Sequence, residues 1–188
     1  MTKFYKWLLF ISSYAPLYLL LAISTYDFKL TPFQYYKSIL NSGTNLYFWF
    51  VIVTLFIVSF VAIGYFKFIS LNERRSLTGL KPINESILSY LITYVIPLTA
   101  MDVSSINSLV VNGFLFLIIG IVYVNSDLLY LNILLILFGY RVYNDSSNNI
   151  IITNYSKNEL TIYMNTGESI LCRKVVKGVY LVRSQKQT

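Results

Sequence analysis

Few side chains in this sequence can do chemistry. There is no histidine, which removes the commonest general base and the commonest metal ligand. The one cysteine, Cys172, can form neither an intrachain disulfide nor a zinc cluster, and is expected to pack as a small apolar residue. None of the eight carboxylates stands at i,i+3 or i,i+4 from another, where a pair could share acid and base roles. There is no glycine-rich phosphate loop and no nucleophile elbow. These absences predict a protein that is not an enzyme, with no catalytic residues, no metal and no cofactor.

Cations are the remaining candidates. Arg141, Arg173, Lys174, Lys177 and Arg183, with Lys186, make the end of the chain basic, and the first five are candidate partner-binding residues. Arg74 and Arg75, in the stretch "KFISLNERRSLTGLKPINES", are candidates for contact with a membrane surface or a soluble partner. A nucleic-acid footprint needs clustered cations, and an aromatic platform between them is missing, so no direct nucleic-acid contact is expected. Solvated strand faces beside an anionic leaflet account equally well for the basic tail. The rule that cations stay on the cytoplasmic side accounts by itself for Arg74 and Arg75.

The elements that must position these residues are largely apolar. Of 188 residues, 56% are hydrophobic and only 12% are charged, with mean hydropathy +0.61. That is about half the charge of an average soluble domain, and the apolar residues come in long blocks. The fold class expected is a membrane α-helical protein. It has four transmembrane helices, an interfacial helix and a small β-rich C-terminal cytoplasmic domain, divided at 1–126, 127–140 and 141–188.

The expected spans are Trp7–Tyr26, Leu46–Phe66, Ser86–Met101 and Leu109–Val124. The first also carries marks of a signal peptide, namely Lys3, Lys6 and a loose cleavage pattern at Ala22-Ile23-Ser24. Its length, Pro16 and its aromatics favour a retained helix. Aromatic belts flank the second, at Trp49 and at Tyr65 and Phe66. The third and fourth are short, at ~24 Å each by helical rise, so a re-entrant hairpin that never crosses stands as the alternative. Their polar link, "DVSSIN", offers Asp102, Ser104 or Ser105 as a helix cap.

Leu128–Tyr140 is also apolar, yet only ~20 Å long as a helix, and three residues separate it from the fourth span. It reads as a short helix on the membrane surface or beneath the bundle, with a fifth span as the alternative. From 139 the pattern turns β-like. Strands are expected at 139–143, 150–154, 159–164, 168–176 and 179–183, in a meander or small barrel, with "NTG" at 165–167 as a hairpin turn. So small a domain needs packing on the bundle or on neighbouring subunits. With four spans, thirteen of the fifteen Lys and Arg residues lie on one side, leaving only Lys29 and Lys37 on the other. Both termini are then cytoplasmic, and Cys172 becomes a thiol reporter of the side the tail occupies.

Three stretches in this order, "IPLTAMDVSS", "YVNSDLLYLNILLILFGYRVY" and "GVYLVR", resemble the membrane subunit of the Kiwa anti-phage system, the KwaA-like proteins. The likeness covers roughly the last hundred residues. Asn132-Ile133 departs from the family's asparagine-proline. The resemblance implies a bacterial inner-membrane protein that assembles as a homo-oligomer and senses membrane disturbance during phage infection. It also implies a soluble KwaB-like effector partner that binds DNA. The residues themselves imply a membrane scaffold with a cytoplasmic docking module. A pore or transporter component is the alternative, with Asn112 as the most polar residue inside a span.

Overall fold

The computed structural model describes residues 2–41, 43–83 and 105–183. The expected third span, Ser86–Met101, lies outside the described residues, as does Lys186.

Pro16 splits the first apolar run. It has no N–H to offer the Ser12 carbonyl, and its ring crowds that group. Ser12 and Ser13 add to the bend by donating back to Leu9 O (2.8 Å) and Phe10 O (2.7 Å). The single helix expected over Trp7–Tyr26 is therefore two, α1 (Lys3–Ser13) and α2 (Ala15–Thr25), bent by 43°. A third helix, α3 (Pro32–Asn41), was not expected from the sequence. Thr31 and Gln34 cap its start reciprocally, and it buries no residue.

Among the described residues, two helices are long and apolar enough to cross a membrane. They are α4 (Gly43–Phe68), whose span is Leu46–Phe68, and α5 (Ile106–Asn125). The bent α1–α2 pair makes a third if it counts as one span. Helix α5 is longer than the expected Leu109–Val124 because Ser105 caps it, accepting from Ser108 N at 3.3 Å.

Helix α1 packs against both. The Tyr5 hydroxyl donates to Ala62 O (2.9 Å), and the Ser59 hydroxyl reaches Ile11 O (3.3 Å). On the α5 side, Phe10 stacks on Phe116 and Tyr123, and Lys6 pairs with Asp127. Gly120 permits this approach, since a Cβ there would stand 2.3 Å from the Trp7 ring. Both contact sets place the start of α1 beside the ends of α4 and α5. Those two helices therefore run in the same direction.

The segment after α5 is not a fifth span. It is a 3-10 turn (Leu129–Leu131) followed by α6 (Ile133–Leu137), too short to cross and tucked beneath the bundle. Leu129, Leu131, Leu134 and Leu135 are all buried.

Among the described residues, six strands form one mixed sheet: β1 (Glu73–Arg75), β2 (Lys81–Pro82), β3 (Arg141–Asn144), β4 (Ile150–Thr153), β5 (Ile170–Val176) and β6 (Val179–Val182). Their order is β1-β5-β6-β4-β3-β2. Neighbours are antiparallel except β4 and β6, which are parallel, so this is not the expected meander or barrel. The two edge strands come from residues 73–82, inside the segment that the sequence assigns to the membrane region. They are short and charged, and one carries Pro82, which are features that blunt a sheet edge.

The strand expected at 159–164 is a helix, α7 (Lys157–Thr166). Ser156 and Glu159 form a capping box, with Ser156 N donating to Glu159 Oε2 (2.7 Å) and Glu159 N to Ser156 Oγ (3.3 Å). Gly167 ends it in the left-handed conformation (φ +68°), so "NTG" is a helix stop rather than a hairpin turn. The connection between the parallel strands β4 and β6 runs through α7 and then β5, and β5 brings the chain back to the end of the sheet where β6 starts.

The sheet is covered on both sides. One face joins a cluster with Leu9, Phe66, Leu134 and Leu135, through Ile152, Val175, Val179 and Leu181. The other packs Tyr143, Ile151, Cys172 and Val182 against Leu160 of α7, Tyr155 and Leu77. The sheet is thus fixed to the base of the helix bundle.

Candidate functional site

The junction between bundle and sheet holds the most constrained polar group. Asn132 is 0% exposed. Its Nδ2 donates to Leu9 O (2.9 Å) and Ser12 Oγ (2.7 Å). Its Oδ1 accepts from Leu134 N (2.9 Å) and Leu135 N (3.2 Å). One side chain therefore caps α6 and pins it to α1 just before the Pro16 bend, using both donors and both acceptor sites. The Lys6–Asp127 pair ties the same two regions closer to the surface.

A second cluster binds the 69–83 linker to the sheet. Arg75 Nη2 donates to Asp145 Oδ2 (2.9 Å) and its guanidinium lies 4.3 Å from the centroid of the Tyr180 ring. Asp145 Oδ1 also accepts from Ser147 N and Asn149 N (both 2.8 Å). Burial favours the neutral form of Asp145. The hydrogen bonds from Asn149 and Ser147 and the charge of Arg75 outweigh it, holding the carboxyl below the usual carboxylate range. Near the end of α4, Arg173 Nη1 donates to Ser70 O (3.2 Å) and Arg183 Nη2 to Ile69 O (3.1 Å).

The candidate cations thus fall into two groups. Arg75, Arg173 and Arg183 hold the linker against the sheet. Arg74 on β1, Arg141 at the start of β3, Lys174 on β5 and Lys177 in the β5–β6 turn are exposed. They do not form one patch, because they are spread from the β1 edge across to β3.

Cys172 is 1% exposed, within the α7-side core. Burial, and then Glu73, push its thiol up, against the opposing charge of Arg75. It is therefore a poor topology reporter, since a thiol reagent would miss it on either side of a membrane.

Ser12 and Asp145 were not singled out from the sequence, and Asn132 entered only as half of a departure from the family's asparagine-proline. The signal for Asn132 was an amide inside an apolar run, immediately before a fresh helical turn. The signal for Asp145 was the "NDSSNN" turn, where an aspartate folds back onto nearby backbone N–H groups.

A family model described as anti-phage protein KwaA matches residues 5–181. The chain belongs to the KwaA family. The match takes in the bent helix pair, the bundle, the junction and nearly all of the sheet. Membership supports a role in anti-phage defence, and the two apolar helices are compatible with membrane association. No curated protein and no solved structure matches the chain.

Proposed function

We propose that this KwaA-family chain is a homo-oligomeric sensor and scaffold in the bacterial inner membrane, with both termini cytoplasmic. It holds a soluble, DNA-binding effector of KwaB type on its sheet and acts without catalysis of its own. The observation that carries this reading is the continuous apolar cluster from Leu9 and Phe66 of the bundle into Ile152 and Leu181 of the sheet. A displacement of α1 or α4 within the bilayer moves the sheet with it, which is what a membrane sensor needs. A tail on a loose tether would not transmit such a movement.

The four-crossing topology belongs to the same proposal. Both α4 and α5 run toward the sheet. Ile83 is at the sheet, donating to Val142 O at 3.1 Å, whereas Ser105 starts α5 at its other end. Thirteen cations then lie on the sheet side, as the positive-inside rule demands.

The test is co-expression of the full chain with the soluble protein encoded beside it, followed by purification in mild detergent. A complex of defined stoichiometry on an oligomer of this chain is the expected result. Arg141→Glu with Lys177→Glu should release the effector while the chain stays in the membrane fraction. An oligomer that never captures a soluble partner would overturn the scaffold role.

A further inference from the structure

A groove of about 470 Å³ lies where the bundle meets the membrane-facing side of the sheet. Its walls are of two kinds. Phe4 and Leu8 of α1, with Val61 and Tyr65 of α4, make it apolar, and Arg173 and Lys174 of β5 make it cationic. Its apolar part is continuous with the outside of α4, since Phe4, Val61 and Tyr65 are all exposed. Its cationic part stands just past the end of α4, where the exposed Tyr65 and Lys67 suit the boundary between hydrocarbon and headgroups.

Arg173 spends one terminal nitrogen on Ser70. That hydrogen bond orients the guanidinium without occupying all of its donors. A ligand that matches this order of surfaces has a negative headgroup and an aliphatic chain beneath it.

We propose that the groove binds one anionic phospholipid of the leaflet on the sheet side. Its phosphate meets Arg173 and Lys174, and an acyl chain lies along Leu8, Val61 and Tyr65. The lipid then holds the sheet against the bilayer as well as against the bundle. This rests on the reading that α4 crosses the membrane, and it does not depend on the effector.

Native mass spectrometry of the full chain in detergent tests it, with phosphatidylglycerol, phosphatidylcholine and inorganic phosphate added separately. Phosphatidylglycerol adducts should exceed phosphatidylcholine adducts by ~tenfold, as two cations near an anionic headgroup imply. Arg173→Gln with Lys174→Gln should bring the two lipids level. Val61→Trp fills the apolar part and should lower phosphatidylglycerol binding with every charge in place, which also decides the matter if the double variant does not fold. Equal binding of the two lipids by the parent chain would overturn the proposal. So would unchanged binding by Val61→Trp, or displacement of the lipid by phosphate alone. Because the chain is tested by itself, failure of effector recruitment would leave these results unaffected.

Discussion

Helix α4 and the C-terminal sheet are both rich in apolar residues and treat them in opposite ways. Only 22% of the α4 membrane window is buried within the chain, and Phe50, Val51, Ile57 and Val61 face outward. The sheet hides its apolar residues on both faces, with Ile151, Leu181 and Val182 at 0% exposure. On the proposal that α4 crosses a membrane, lipid supplies its apolar solvent, so side-chain identity matters little beyond hydrophobicity. In the sheet the chain itself must fill the space, so shape matters at each position. The junction is stricter again, because polar groups there have neither lipid nor water to fall back on.

This contrast orders the expected effects of substitution. The largest is at the sheet core facing the bundle, where Leu181→Ala should cost about 3–4 kcal/mol through lost burial and a cavity. The chain should lose its folded, detergent-stable form, measured as aggregation on size exclusion. Next is Asn132→Leu, of similar size, which uncaps α6 and leaves Leu9 O and Ser12 Oγ without that donor, for about 3 kcal/mol. Asn132→Asp keeps the cap and loses the donors. If both variants melt like the parent, the junction is no stricter than the lipid-facing helices and the contrast fails.

Asp145→Asn should cost about 2 kcal/mol by weakening the links to Arg75 and the turn. Its carboxyl is held below the ordinary range in the folded chain. Its contribution is therefore full above the unfolded value of ~3.9 and is lost as pH falls through the folded value. The parent should lose stability on acidification through that range, and the variant should show a flatter acid limb in the same melting series. Ser156→Ala removes half of the capping box and should cost about 1 kcal/mol, read as earlier hydrogen exchange in α7. The smallest effect is Phe50→Leu on the outward face of α4, within ~0.5 kcal/mol. A large loss there would mean that this face is an interface between copies rather than a lipid surface.

Two of the expected spans were legible in the sequence: the uncharged runs Leu46–Phe66 and Leu109–Val124 fall within α4 and α5, because hydrocarbon excludes charge along its whole thickness. The absence of histidine and the spacing of the carboxylates were equally plain, being matters of composition. The KwaA-like pattern in 123–143 and 178–183 was visible too, and the family match over 5–181 agrees with it.

Other features depended on partners far away in the chain. Residues 159–164 alternate like a strand, yet Ser156, Glu159 and Gly167 are local helix signals. The alternation was the weaker signal because Leu160 and Met164 also share a helix face, four residues apart. Arg75 looked like a loop cation until β1 joined β5 and brought it to Asp145 and Tyr180. Asn132 stood in the sequence only beside Ile133 as a departure from the family's asparagine-proline, and its partners Leu9 O and Ser12 Oγ come from α1. Hydropathy and charge act residue by residue, so the sequence by itself determined which segments seek the membrane and which end carries the cations. Strand partners and buried hydrogen bonds are set by contacts between distant segments, so only the tertiary structure decided where the sheet sits and what ties it to the bundle.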